Sequence, residues 1–228
     1  MPLVSVKYSG EIKKTVDNYN TLDEEEQSGS YWDKTDEEIK KVKKHIKDHY
    51  KTAQDYTCIY CKQKIVVEHG MAWDVEHIIP KSDYPKFLFT EQNLALACKD
   101  CNLNKKDKNV LTNPKRKTFP TKCEDYIIVH PHFDEYYQHI KIIESSQIFI
   151  PKSHKGRQTI EVCGLLRFAY QFANYNNIGL ETEKLIQRLT DELINSSSSD
   201  KYAILGLIAD IAKDGQRIAR ETFLKNLN

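Results

Sequence analysis

Apolar residues along this chain recur at two different periods, and the change of period divides it. From Thr35 to Tyr50, the apolar Ile39, Val42, Ile46 and Tyr50 fall three or four apart, with Lys40, Lys43, Lys44 and Lys47 between them. That spacing predicts an amphipathic helix with one packed face. Thr35 and Glu38 stand in the Thr-x-x-Glu arrangement of a capping box and predict its start. Ahead of it, residues 1–34 keep no sustained period, and the acidic stretch Asp17 to Gly29 reads as loop or arm. From Tyr56 to Lys108, short apolar runs alternate with turns: Ile65 to Val67, Ala72 to Ile79 and Leu94 to Ala97, bounded by Gly70, Pro80 and Pro85. These read as short strands, with a short helix opening near Asn102. Residues 109–125, with Pro114 and Pro120, read as a connecting loop, Tyr126 to Ile150 as mixed, and Pro151 to Arg157 as a basic turn.

Ile160 to Tyr175, Glu181 to Ile194 and Tyr202 to Lys213 then return to helical spacing, interrupted by the serines at 196–199. The expected fold class is α+β. Its expected parts are an N-terminal arm and helix (1–55), a small strand-rich module (56–112) and a mostly helical C-terminal region (113–228). Stripes such as Leu165, Phe168 and Phe172, or Ile204, Ile208 and Ile211, read as core or partner surface rather than cofactor contacts.

Composition narrows the class. The 228 residues are 39% hydrophobic and 29% charged, which suits a folded, water-exposed protein. No run of 18 apolar residues occurs, so no membrane span is expected, and Met1 to Gly10 lacks a secretory pattern. The expected location is the cytoplasm. A net charge of +1 decides nothing about partners, but its distribution is uneven. Asp23 to Glu26 is acidic, whereas Lys99, Lys105, Lys106, Lys108, Lys115, Arg116 and Lys117 crowd one basic stretch.

Four of the six cysteines form two Cys-x-x-Cys pairs, Cys58 with Cys61 and Cys98 with Cys101; Cys123 and Cys163 stand apart. Two residues between cysteines let both thiolates of a knuckle face one ion, and two knuckles make a closed tetrahedral Zn2+ site. A site with no open position is structural rather than catalytic. The alternative, two unrelated pairs of buried or redox cysteines, leaves the spacing unexplained.

Between the knuckles lie Trp73-Asp74-Val75-Glu76-His77-Ile78-Ile79-Pro80 and then Asn93-Leu94, and the second knuckle runs into Asn102 and Lys105. This order resembles the HNH endonuclease family over Cys58 to Lys105, about a fifth of the chain. An acidic residue and histidine at a strand end, a central asparagine and Cys-x-x-Cys-Asn-x-x-Lys carry the resemblance. It implies a ββα-metal core that hydrolyses phosphodiester bonds in DNA. Water is a weak nucleophile and a phosphodiester is anionic, so such a site needs a base and a cation. His77 suits the base. Glu76 and the Asn102 carbonyl offer oxygen to Mg2+ or Mn2+, with Asp74 as an additional or substitute ligand. Adjacent strand residues point to opposite sides, so Glu76 and His77 converge only where the strand ends or bends.

The family implies that Asn93 holds the loop carrying the histidine, and that Lys105 and Lys106 contact backbone phosphates. Glu76 stands where the family more often has Asp. Plainer readings stay open: Asn93 as a turn residue, the two lysines as solvated charges, His77 as a structural histidine. His130, His132 and His139, with no cysteine or carboxylate pattern around them, read as structural. The helical flanks resemble the nuclease subunits of bacterial anti-phage systems, Septu and retron-associated, on overall layout and a diffuse match around Tyr126 to Gly164. That likeness implies an ATPase partner; a homo-oligomer is also left open. The rival function is a zinc module that binds nucleic acid or protein without cutting it.

Overall fold

The computed structural model describes residues 2–67, 72–143, 148–168, 178–196 and 198–225, the helical stretches 178–184, 198–199 and 214–225 by their backbone. Gly70, Phe172 and the expected helix beyond Phe168 lie outside the described residues. The chain folds as two compact units, one of residues 1–136 with 161–164, the other of 137–160 with 165–228.

In the first unit, helix α1 (Gly10–Asn20) buries Val16 and Tyr19. It occupies a stretch expected to be aperiodic, because two buried side chains in three turns make too weak a stripe to read. The Tyr19 hydroxyl donates to Pro85 O at 2.8 Å, which ties α1 to the loop ahead of the second strand. Helix α2 (Glu37–Ala53) buries Ile39, Val42, Ile46 and Tyr50, the stripe its spacing predicts. Its cap is one residue later than expected: Asp36, not Thr35, accepts from Ile39 N at 3.0 Å.

Strands β1 (Trp73–His77) and β2 (Leu94–Cys98) pair antiparallel, Trp73 opposite Cys98 and His77 opposite Leu94. All five residues of β2 are buried. Its outer edge is covered by Gln54, whose amide accepts from Leu96 N at 2.7 Å and donates to Leu96 O at 2.9 Å. Helix α3 (Lys99–Lys105) follows without a loop and packs on both strands. Lys106 closes it with a left-handed backbone, φ +48°. Residues 161–164 return to this helix, where Lys108 Nζ donates to Val162 O at 3.0 Å.

The second unit begins with the end of a single turn, α4 (Tyr136–His139), and a hairpin of β3 (Ile140–Ile143) and β4 (Ile148–Pro151). Helix α5 (His154–Val162) ends where a helix was expected to be under way. Gly164 then takes φ +61°, so the Ile160 stripe is interrupted. Helices α6 (Ile178–Asn195) and α7 (Ser198–Lys225) break within the serine run, as expected. The core of this unit gathers Ile148, Ile150, Leu185, Leu189, Ile204, Leu207 and Ile211.

Gly156 lies against the His139 carbonyl, and a Cβ there would stand 1.9 Å from that oxygen. Backbone on both sides cannot yield cheaply. Gly156→Ala is expected to destabilise the protein by roughly 1–3 kcal/mol or more, read as a lowered thermal midpoint; an unchanged midpoint would contradict this packing.

Candidate metal and catalytic site

The four knuckle cysteines are buried, unbridged by disulfides, and their sulfurs all lie within 4.8 Å of one another. Cys61 Sγ and Cys98 Sγ are 3.9 Å apart. A tetrahedral zinc with bonds of ~2.3 Å would set its sulfurs ~3.8 Å apart, so the cluster could hold zinc. Cys98 N donates to Cys58 Sγ at 3.3 Å, the kind of backbone contact that stabilises a thiolate ligand. Among the described residues no other group of three or more His, Cys, Asp or Glu meets this test, and that includes the histidines at 130, 132 and 139. His132 instead faces the carbonyls of Leu3 and Leu94 at 3.0 and 2.9 Å, and His130 stacks on Phe133.

His77 ends β1 with 7% of its surface exposed. Its Nε2 lies 3.1 Å from Leu88 O. A carbonyl can only accept, so Nε2 carries the proton and donates to it. Burial, then the positive charge of Lys81, pushes the His77 pKa down to about 3. The ring is therefore neutral, and its unprotonated atom is Nδ1. Trp32, from a 3-10 turn at Gly29–Asp33, meets the His77 ring edge to face with centroids 4.6 Å apart. That turn is pinned by Lys81, whose Nζ donates to Gly29 O at 3.1 Å and pairs with Asp33 at 2.9 Å.

Asn93 is fully buried and binds three backbone groups. Its Oδ1 accepts from Ile79 N at 2.7 Å, and its Nδ2 donates to the carbonyls of Ile79 and Phe87, both at 3.1 Å. Those contacts join the loop after His77 to the turn whose next residue, Leu88, accepts the hydrogen bond from His77 Nε2. An ordinary turn asparagine would not spend all of its amide this way.

Asp74 and Glu76 face α3, as alternation along β1 requires. Asn102 Nδ2 donates to Asp74 Oδ2 at 2.9 Å, and Lys99 pairs with Asp74 Oδ1 at 3.0 Å. Glu76 Oε1 receives Lys105 at 2.7 Å and the Tyr60 hydroxyl at 2.9 Å. Burial raises the Glu76 pKa, and the Lys105 charge opposes it. Despite the alternation, Asp74, Glu76, His77 and Asn102 all line one cleft of about 650 Å3, with Trp32, Asp33, Lys81 and Lys106. The cleft thus brings His77 together with Asp74, Glu76 and Asn102.

Lys105 departs from expectation. It is 0% exposed, too deep to reach a backbone phosphate, whereas Lys106 is exposed and lines the cleft. Sequence reasoning also missed Trp32, Lys81 and Tyr60. Trp32 and Lys81 carry no motif, being placed by tertiary contact; Tyr60 lies inside the first knuckle but has no signal as a partner of Glu76.

Replacing one knuckle cysteine should empty the sulfur site and, with it, unfold the module that carries His77. Cys98→Ala is expected to lose zinc and solubility, checked by metal analysis of the purified protein; a well-folded variant with full zinc would contradict the site.

Two relatives bear on this arrangement. The chain is 29% identical over 159 residues to a retron Vc95 protein of Vibrio cholerae (serotype O1 biovar El Tor) named as an HNH endonuclease, covering 65% of this chain and 66% of that one. It is 28% identical over 134 residues to the Septu protein PtuB of Bacillus thuringiensis, covering 59% of this chain and 46% of that one. The aligned segments thus span just under two thirds and less than half of these relatives. No solved structure matches the chain. Residues 58–108, which hold the four cysteines, His77, Asn93 and Asn102, match the HNH endonuclease family.

Proposed function

We propose that the chain is a metal-dependent endonuclease that hydrolyses phosphodiester bonds in DNA, with His77 as general base on a ββα-metal core. The observation that carries this reading is His77 itself. It is neutral, its proton is committed to Leu88 O, and it stands in a cleft shared with Asp74, Glu76 and Asn102. Nδ1 is left to take a proton from water as the water oxygen bonds to phosphorus. The phosphorus–oxygen bond opposite then breaks, and the leaving oxygen is protonated from solvent. Asn93 acts on the reaction only through the loop it holds, by keeping the Leu88 carbonyl opposite Nε2. Asn102 and Glu76, with Asp74 as an additional ligand, would hold Mg2+ or Mn2+, which supplies charge neutralisation at the scissile phosphate. Few protein oxygens and an open cleft suit a cation that keeps much of its water and takes phosphate oxygens as ligands. The four-sulfur site, closed by its own ligands, would carry structural zinc.

Lys106, exposed at the end of α3, fits a backbone phosphate contact. The names of the two relatives extend the reading to an anti-phage defence effector, and the resemblance of the helical flanks adds an ATPase partner. No helix among the described residues is long and apolar enough to cross a membrane, in keeping with action on a dissolved substrate.

The test is cleavage of supercoiled plasmid in Mg2+ or Mn2+ by the wild type and by a folded, zinc-loaded His77→Ala protein. Removing a general base should slow cleavage by about 10²- to 10⁴-fold. Equal cleavage by both would contradict the assignment of the base. Plasmid binding without cleavage, persisting when a partner ATPase is supplied, would favour a zinc module that binds without cutting.

A further inference from the structure

Lys105 is completely buried, and its ammonium carries three protons. Three oxygens stand ready for them: Glu76 Oε1 at 2.7 Å, His77 O at 3.0 Å and Lys106 O at 3.3 Å. With all three donors used inside the protein, nothing remains for a phosphate. The oxygen that receives Lys105 also receives the hydroxyl of Tyr60. Tyr60 sits between Cys58 and Cys61, and its phenol, a neutral O–H donor, points its hydroxyl at Glu76. One donor therefore comes from the first sulfur knuckle and one from the helix that begins at the second. Both meet on the carboxylate next to the candidate base.

A buried ion pair is weak evidence of stabilisation, because removing two charges from water costs about as much as their attraction returns. This pair does more than fill space. It fixes the Glu76 carboxylate at the wall of the cleft, and its lysine also grips the backbone carbonyl of His77. We propose that Lys105 and Tyr60 are positioning residues that hold Glu76 in place for the catalytic cation, so that the sulfur site and the cleft share one hydrogen-bonded chain. The proposal rests on the nuclease reading above. Glu76 Oε1 is bound by these two donors, and Oε2 is the oxygen left for a cation.

The test uses the zinc-loaded full chain and Mn2+ as the probe, its binding followed by electron paramagnetic resonance. Tyr60→Phe removes one hydroxyl and keeps the ring. It is expected to retain zinc and its thermal midpoint while weakening Mn2+ binding by about 10- to 100-fold, the range for groups that orient metal ligands. A wild type that cuts plasmid while Tyr60→Phe binds Mn2+ unchanged would overturn the positioning role and leave the nuclease reading intact. A wild type that neither cuts nor takes up Mn2+ would overturn both. A second measurement separates positioning from phosphate contact. In a His77→Ala background, Lys105→Met should leave the salt dependence of duplex DNA binding unchanged. A loss of about one from the slope of log K against log salt would return Lys105 to the phosphate backbone.

Discussion

A hairpin of two five-residue strands buries too little surface to stand alone in water. Here it must also display a buried histidine at one strand end and feed a seven-residue helix from the other. The constraint that makes this feasible is the cluster of four sulfurs. One pair lies in a turn ahead of β1, and the other spans the junction of β2 and α3. A metal there turns binding free energy into folding free energy, typically ~10–16 kcal/mol for zinc-finger peptides. The position of α3, and with it of Asn102 and Lys105, follows from where the second pair must be.

Charge is distributed on that frame by alternation along β1. Asp74 and Glu76 project toward α3 and find Lys99, Asn102 and Lys105, whereas His77 meets Trp32 and the Leu88 carbonyl. The two sides ask for opposite electrostatics. Glu76 needs a cation beside it to be buried as a carboxylate, and Lys105 supplies one. His77 is buried as a neutral ring, and burial with nearby lysines keeps it so. Both requirements are met within one cleft, because Asn93 folds the loop after β1 back over the strand end.

What the sequence disclosed was whatever has a local signature. The cysteine spacing announced the sulfur cluster, and the three- and four-residue spacing announced α2, because each pattern follows from chemistry within a few residues. The pairing of His77 with a central asparagine was legible only as a resemblance; its physical content, three hydrogen bonds from Asn93, was not. Contacts between distant stretches left no trace. Trp32 lies 45 residues from His77 and Lys81 lies 48 from its partner Asp33, neither matches a pattern, and α1 is held by Tyr19 reaching Pro85 rather than by its own period. Lys105 misled for a physical reason. A lysine in a basic stretch is ordinarily solvated, and only the carboxylate of Glu76 and two carbonyls, all brought together by folding, make its burial tolerable.

If the four sulfurs hold the β1–β2 hairpin together, amide hydrogen exchange will register it. Exchange over Trp73–Lys105 would be compared between the zinc-loaded protein and the same protein after chelation. Chelation is expected to strip protection from β1, β2 and α3, including the Ile78 and Ile79 amides that Asn93 accepts from. Protection that persists across these residues without zinc would contradict it.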